Sequence, residues 1–197
     1  VLSYGDLKKR ACQYANYFTQ LGIAHSSTIP VLLDKGVEHI VAIVAVQLVG
    51  ANYVPIDPIS PVERMEQIIS DCECQFLLTQ SIGIDTLDNI SADIELIVLE
   101  RDLEDIKLES EKFSSVELDD EEIAYTIYTS GSSGVPKGVC VSHKNMLAYT
   151  SAIKERLSIK SGSKITWLST IFADLGYTAI YGALCNQSTL YITSEAV

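Results

Sequence analysis

The apolar positions at the start of the chain follow the pattern of an amphipathic helix. They recur at helical spacing at Leu7, Ala11, Ala15, Phe18 and Leu21. Ser3 is a candidate N-cap, and Asp6, three residues later, makes a motif close to a capping box. Gly22 is placed to end the helix. The sequence therefore predicts one helix between these two signals.

Short apolar stretches alternate with longer helical ones along the rest of the chain. Strands are predicted in IPVLLD, ANYVPID, QFLLT, ELIVLE, IAYTIYTS, KITWLST and STLYI. Helices are predicted in GVEHIVAIVAVQLVG, SPVERMEQIISDC, SHKNMLAYTSAIKERL and ADLGYTAIYGALC. Ser60 is the expected N-cap of the second of these helices, with Pro61 in its first turn. This alternation predicts an α/β fold with a largely parallel sheet.

Charge and composition narrow the class of protein. The 197 residues carry a formal net charge of −12, from 26 acidic and 14 basic residues, and no basic patch indicates nucleic-acid binding. Much of the acidity lies in residues 101–122, which we interpret as a solvated connector. Apolar runs are too short to span a membrane, and the five cysteines form no C-x-x-C pair. We therefore expect a cytoplasmic protein with reduced thiols and without a zinc site.

The glycine-rich stretch YTSGSSGVPKG, residues 128–138, carries the strongest chemical signal. It lies between a predicted strand and a predicted helix, an arrangement in which backbone N–H groups bind phosphate oxygens. Its lysine precedes the last glycine, which excludes a Walker A loop, and the glycine spacing excludes a dinucleotide-binding fingerprint. The candidate phosphate ligands are Thr129, Ser130, Gly131, Ser132, Ser133, Gly134 and Lys137.

This stretch closely resembles the phosphate loop of the adenylate-forming enzymes, which include acyl-CoA synthetases, luciferases and the adenylation domains of nonribosomal peptide synthetases. Ser133 stands where the family usually has threonine, a change that keeps the hydroxyl. Two earlier stretches, LSYGDLKKRACQYANYFTQLGI and QLVGANYVPIDPISPVERMEQIISD, are similar to the first two motifs of the peptide-synthetase branch. The resemblance implies the N-terminal part of that family's large domain, with mostly parallel sheets flanked by helices.

The resemblance also implies a two-step reaction in an intact domain. A substrate carboxylate attacks the α-phosphate of ATP in the presence of Mg²⁺, which yields an aminoacyl adenylate and pyrophosphate. The phosphopantetheine thiol of a peptidyl carrier protein, a partner among neighbouring synthetase domains, then takes the aminoacyl group. Thr129 and Lys137 are the implied catalytic residues. Residues 1–197 are expected to be an incomplete large domain, without the small C-terminal domain, and inactive alone.

The stretch ADLGYTAIYGALCNQSTLYI resembles a later motif of the same branch, with departures at Ala173 and Gln187. Asp174 falls on the family's aspartate for the substrate α-amino group, and Leu175 and Thr178 fall on positions that line its side-chain pocket. A helix-capping aspartate is the alternative interpretation of Asp174. The functional alternatives are activation of a keto, hydroxy, aryl or fatty acid, or a non-catalytic nucleotide-binding remnant.

Overall fold

The elements of the chain alternate as the sequence predicts. The computed structural model describes residues 1–87, 94–114, 116–130, 136–170, 172 and 174–193. The helices are α1 (Tyr4–Gln20), α2 (Val37–Leu48), α3 (Val62–Asp71), α4 (Ser81–Leu87), α5 (Leu99–Leu108), α6 (His143–Arg156) and α7 (Asp174–Leu184). The strands are β1 (Thr28–Leu32), β2 (Asn52–Pro55), β3 (Phe76–Thr79), β4 (Glu95–Val98), β5 (Ile123–Ser130), β6 (Pro136–Ser142), β7 (Lys164–Trp167) and β8 (Thr189–Ile192). Within the described ranges, no helix has the length and apolar character needed to cross a bilayer.

The larger sheet, among the described residues, has six strands in the order β4-β3-β1-β2-β5-β6. Neighbouring strands from β4 to β5 are parallel, and the last pair, β5 with β6, is antiparallel. Strands β7 and β8 form a separate parallel pair. The predicted α/β fold with a largely parallel sheet is thus confirmed. Because parallel strands end at a common edge, the segments that follow β1, β2 and β5 lie along one edge of the sheet.

Apolar side chains cover both faces of the larger sheet. Helices α1 and α2 contribute to one core, which includes Phe18, Ile43 and Val46. Helix α3 contributes Met65 and Ile69 to a second core. Strands β2 and β3 are buried along their whole length, as expected of parallel strands that are covered on both sides.

Local sequence signals set the helix ends, and one observed N-cap differs from the predicted one by a single residue. Ser3 caps α1: its Oγ accepts a hydrogen bond from the Asp6 backbone N–H at 3.1 Å and donates one to the Asp6 carboxylate at 2.6 Å. Gly22 follows the helix with a φ of 93°, which glycine adopts without steric cost. At α3 the N-cap is Pro61, not Ser60, because Pro61 has an extended ψ of 142° and so precedes the first helical residue.

The acidic segment 101–122 is not a connector throughout, which corrects the prediction. Its first part belongs to α5, whose residues Leu99 and Ile106 are buried in the main core. Asp102 is buried as well, where its carboxylate accepts hydrogen bonds from the Val98 backbone N–H at 2.9 Å and from Arg101 Nε at 2.6 Å. The prediction relied on the net acidity of the segment and overlooked an amphipathic helix. Its apolar residues Leu99, Leu103 and Ile106 are spaced four and three positions apart, as on one face of a helix.

Side-chain amides of α1 hold the end of α5 and the backbone that follows it, and we call residues 107–112 the strap. Gln13 Nε2 donates to the Lys107 carbonyl at 2.8 Å, and Asn16 Nδ2 donates to the carbonyls of Ser110 at 2.9 Å and Lys112 at 3.0 Å. The amide positions lie on one face of the helix, since they are spaced by about one turn. These hydrogen bonds provide partners for carbonyl groups of the strap, which no neighbouring strand of the described chain supplies.

A buried histidine lies beside the core of this sheet. His39 has no exposed surface, its Nδ1 lies 3.4 Å from the Leu33 carbonyl oxygen, and its ring meets the Trp167 ring edge-on at 6.4 Å. Burial lowers the pKa of His39 to about 4, because an imidazolium loses its hydration there. The histidine is therefore neutral at pH 7.

Because the folded chain resists protonation of His39, we expect the protein to lose folding stability in mild acid. The pKa of this histidine is about 6.5 in the unfolded chain and about 4 in the folded chain. Between these two pH values, the unfolded chain therefore binds a proton that the folded chain does not. The free energy of unfolding should therefore fall by about 3 kcal/mol as the pH decreases through this window. Urea unfolding at intervals between these pH values measures it. His39→Leu should lose this part of the pH dependence, and His25→Leu, at a half-exposed histidine, should keep it.

Candidate phosphate and substrate sites

The glycine-rich stretch lies at the tip of a β-hairpin, which corrects the predicted order of strand, loop and helix. Strands β5 and β6 pair in antiparallel register, with Thr129 opposite Lys137 and Ser130 opposite Pro136. Helix α6 begins only at His143, after Ser142 as N-cap. Because β6 is seven residues long, the start of α6 lies about 20 Å from the loop. The N-terminal N–H groups of α6 are thus not next to Thr129 and Ser130, which lead into the loop.

The hairpin brings the described members of the predicted phosphate site together. Thr129, Ser130 and Lys137 are all exposed where the two strands meet the loop, and the Thr129 hydroxyl lies 3.4 Å from the Lys137 carbonyl oxygen. The predicted ligands Gly131, Ser132, Ser133 and Gly134 lie outside the described residues. Two hydroxyls and one ammonium group therefore flank the loop, a donor set suited to phosphate oxygens.

Helix α3 contacts this hairpin close to the loop, at Tyr128. The Tyr128 hydroxyl donates a hydrogen bond to Asp71 Oδ2 at 2.5 Å, and Arg64 NH2 donates one to the Tyr128 carbonyl at 3.2 Å. Burial and the Asp71 carboxylate raise the pKa of Tyr128 above its usual value, so the phenol stays protonated as the donor. Sequence reasoning missed Arg64 and Asp71, because more than fifty residues separate each of them from Tyr128.

A glycine on the facing strand makes room for the Tyr128 ring. Gly138 is paired directly with Tyr128, and a Cβ at Gly138 would lie 3.2 Å from Tyr128 Cζ and 3.0 Å from Thr126 Cγ2. Such a contact is tighter than ordinary van der Waals packing, so a side chain there would press on the ring. The last glycine of the motif thus serves packing within the hairpin, and not only backbone freedom.

His143 is positioned by the fold as the first residue of α6. Its backbone N–H donates to the Glu122 carbonyl at 2.9 Å. Burial lowers the pKa of its imidazole below the usual value, while the nearby carboxylates of Glu122 and Asp120 act in the opposite direction. The ring is therefore neutral at pH 7 and provides no positive charge for a phosphate.

The predicted substrate residues lie on helix α7. Asp174 is its first residue, and its side chain lies outside the described part of the structure. Leu175 is 64% exposed, and it lines a surface cavity of about 560 Å³ together with Thr178, Ile165 and Leu168. Thr178 also shares a hydrogen bond of 2.7 Å with the Tyr149 hydroxyl. The structure therefore places the two predicted pocket residues on one cavity wall.

A group of buried tyrosines attaches α7 to the larger sheet. Tyr125 of β5 stacks on Tyr177 of α7 with ring centroids 4.6 Å apart, and the hydroxyls of Tyr53 and Tyr181 are 2.7 Å apart. Gln47 Nε2 donates to the Tyr181 hydroxyl at 2.9 Å. Stacked aromatic pairs favour a fixed mutual orientation. The strand that leads into the phosphate loop and the helix that carries Asp174 therefore share one rigid contact.

In the described part of the chain, no three His, Cys, Asp or Glu side chains gather into a group that could hold a metal ion. Mg²⁺ in nucleotide-binding proteins is usually held by one or two carboxylates together with substrate phosphates, not by a protein cage.

Comparison with known proteins places this geometry in a family. The family model described as AMP-binding enzyme matches residues 1–197. Bacitracin synthase 3 of Bacillus licheniformis is 34% identical over 194 residues, which cover 98% of this chain and 3% of that protein. Surfactin synthase subunit 1 of Bacillus subtilis (strain 168) is 32% identical over 197 residues, which cover 98% of this chain and 5% of that protein. The chain thus spans only a few per cent of these relatives.

Solved structures share the fold. ATP-bound MatB from Rhodopseudomonas palustris superposes with a TM-score of 0.88 at 21% identity, over 98% of this chain and 40% of MatB. The nonribosomal peptide synthetase FmoA3 superposes with a TM-score of 0.86 at 25% identity, over 97% of this chain and 20% of FmoA3. The family model covers every residue from the first helix through the hairpin to β8. This chain therefore belongs to the AMP-binding enzyme family.

Proposed function

We propose that this chain is part of an ATP-dependent adenylation domain of a nonribosomal peptide synthetase, which activates an amino acid as its aminoacyl adenylate. The observation that carries the proposal is the hairpin, which presents Thr129, Ser130 and Lys137 beside a glycine-rich loop at the carboxyl edge of the sheet. Ligand sites of open α/β sheets lie at this edge. The names of the relatives, which are peptide synthetases, support the same assignment.

The proposed chemistry divides the work between the hairpin and α7. Thr129 and Lys137 hold the β- and γ-phosphates of ATP and orient the pyrophosphate that leaves when the substrate carboxylate attacks the α-phosphate. The loop members Ser132, Ser133 and Gly134 supply further donors, with Gly131 allowing close backbone approach. Mg²⁺, when bound, neutralises charge on the phosphates.

The amino acid is proposed to bind at α7. Its α-ammonium group pairs with the Asp174 carboxylate, because a carboxylate in a largely apolar pocket needs a cation. Leu175 and Thr178 contact the substrate side chain, which is consistent with their shared cavity wall. In this proposal Thr178 reaches the substrate with a hydroxyl whose orientation Tyr149 fixes.

The wider context of the domain is part of the same proposal. Residues 1–197 form the first portion of a large domain, and a small domain and a peptidyl carrier protein complete the reaction. The carrier's phosphopantetheine thiol accepts the aminoacyl group from the adenylate. All five cysteines of this chain are unpaired, which supports a reducing cytoplasmic location.

The proposed function is tested by ATP–pyrophosphate exchange on the intact protein with a panel of carboxylic acids. Amino-acid-dependent exchange, with one or a few amino acids favoured, is the expected result. Exchange with a keto, hydroxy, aryl or fatty acid but with no amino acid would contradict the substrate assignment. No exchange with any acid, together with no binding of ATP, would favour a non-catalytic remnant.

A further inference from the structure

Two charged residues of α3 contact Tyr128 from opposite ends of that helix. Arg64 lies in the first turn, and Asp71 is the last helical residue. Arg64 reaches the Tyr128 carbonyl and Asp71 reaches its hydroxyl. One tyrosine is thus held at its backbone and at the tip of its side chain by a single rigid element.

The placement of these charges is unfavourable for α3 itself. The positive end of the helix dipole lies at the N-terminus, where a cation such as Arg64 is disfavoured, and an anion such as Asp71 is disfavoured at the C-terminus. No basic residue in the last turn of α3 offsets Asp71. Helix stability therefore does not account for either residue, whereas the contacts with Tyr128 account for both.

Tyr128 is the last buried residue of β5 before the loop. Thr129 and Ser130 follow it and are exposed, and the hydroxyl end of its ring lies close to Gly138, next to Lys137. A shift of Tyr128 along or across the strand would move these neighbours with it, because they share one hairpin ladder. The position of the loop donors consequently depends on what holds Tyr128.

We propose that Arg64, Asp71 and Tyr128 form a brace through which helix α3 positions the phosphate loop for ATP. This inference rests on the proposed function and adds three positioning residues to it, none of which contacts the phosphates. A misplaced donor weakens a phosphate contact steeply, because catalytic and binding geometry tolerates displacements of well under 1 Å. The brace therefore acts on ATP affinity and not on the acceptor thiol.

The test compares the KM for ATP in pyrophosphate exchange among variants of the intact protein. Tyr128→Phe and Asp71→Ala should each raise this KM about tenfold, with the KM for the amino acid unchanged. Combining the two should add little to either alone, because both remove the same hydrogen bond. Asp71→Asn, whose amide oxygen still accepts from the phenol, should restore a KM for ATP near that of the wild type.

A matched control separates positioning from general stability. Tyr14 donates to the Glu38 carboxylate at 3.1 Å, a tyrosine–carboxylate hydrogen bond of the same kind on the opposite side of the sheet core. Tyr14→Phe should lower the melting temperature as Tyr128→Phe does, but leave the KM for ATP within about twofold. Equal effects of both variants on the KM for ATP would overturn the brace.

The outcomes also separate this inference from the proposed function. If the wild type exchanges pyrophosphate and Lys137→Ala impairs it, while Tyr128→Phe and Asp71→Ala keep the wild-type KM for ATP, only the brace is overturned. If the wild type shows neither exchange nor ATP binding, the proposed function fails and the brace fails with it.

Discussion

Replacing Lys137 with alanine in the intact protein should slow amino-acid-dependent ATP–pyrophosphate exchange by about 100-fold or more. The lysine is exposed on β6 opposite Thr129, where its ammonium group is available to the phosphates beside the loop. Attack of a carboxylate on a polyanion requires charge neutralisation, and removal of one such donor typically costs this much. Transfer of the aminoacyl group from a supplied adenylate to the carrier thiol should keep its rate, because pyrophosphate has already left.

The control for this prediction is a second exposed lysine. Lys107 lies on α5, paired with Glu104 at 2.7 Å, and Lys107→Ala should leave exchange within about twofold of the wild type. Equal losses in both half-reactions for Lys137→Ala would show a general structural role instead. Lys137→Arg keeps the charge with a different shape, so an intermediate loss is expected.

Replacing Asp174 with alanine should reduce exchange with the preferred amino acid by about 100-fold, mainly through the KM for the amino acid. In the proposed function, the change leaves the substrate ammonium group without its carboxylate partner. The KM for ATP should stay within about twofold, because the proposed function places the phosphates at the hairpin and not at α7. Exchange kinetics with each substrate varied in turn provide the measurement.

An aspartate elsewhere on the surface is the matched control here. Asp105 is exposed on α5, and Asp105→Ala should have no effect on either KM. Full activity of Asp174→Ala with the same amino acid would remove the ammonium contact from the proposal and favour an acid without an amino group. A fall in melting temperature with unchanged kinetics would identify Asp174 as a helix cap.

Local signals were sufficient for most of the fold. The apolar periodicity of α1, its Ser3 cap and its terminal Gly22 are properties of adjacent residues, and each appears in the structure as predicted. Strands β1 to β4 were equally visible, because β1, β2 and β3 are almost wholly buried and strands covered on both faces are short continuous apolar runs. The order of strands and helices from α1 to β4 could therefore be derived without tertiary information, except that the short helix α4 was not predicted.

The site was predicted less completely, for two physical reasons. Strand β6 was missed because proline, lysine and glycine open it, and only pairing with β5 makes that segment a strand. A weak signal was present in Val139 and Val141, which alternate at strand spacing. Arg64 and Asp71 lie in a stretch that resembles a family motif, but nothing in that stretch indicated their contact with Tyr128, since the contact depends on how a helix packs against a distant hairpin.

The amide contacts of α1 with the strap have a consequence for the order in which the chain folds. Gln13 and Asn16 are separated from their strap partners by 94 to 96 residues. Ribosomes add about 5 to 20 residues per second, so the strap is synthesised roughly 5 to 20 s after α1. Amide groups are fully hydrated during that interval, whereas apolar side chains at the same positions would offer a surface for aggregation. Because these contacts are made by polar side chains, they can form late in synthesis without exposing an aggregation-prone apolar surface on the nascent chain.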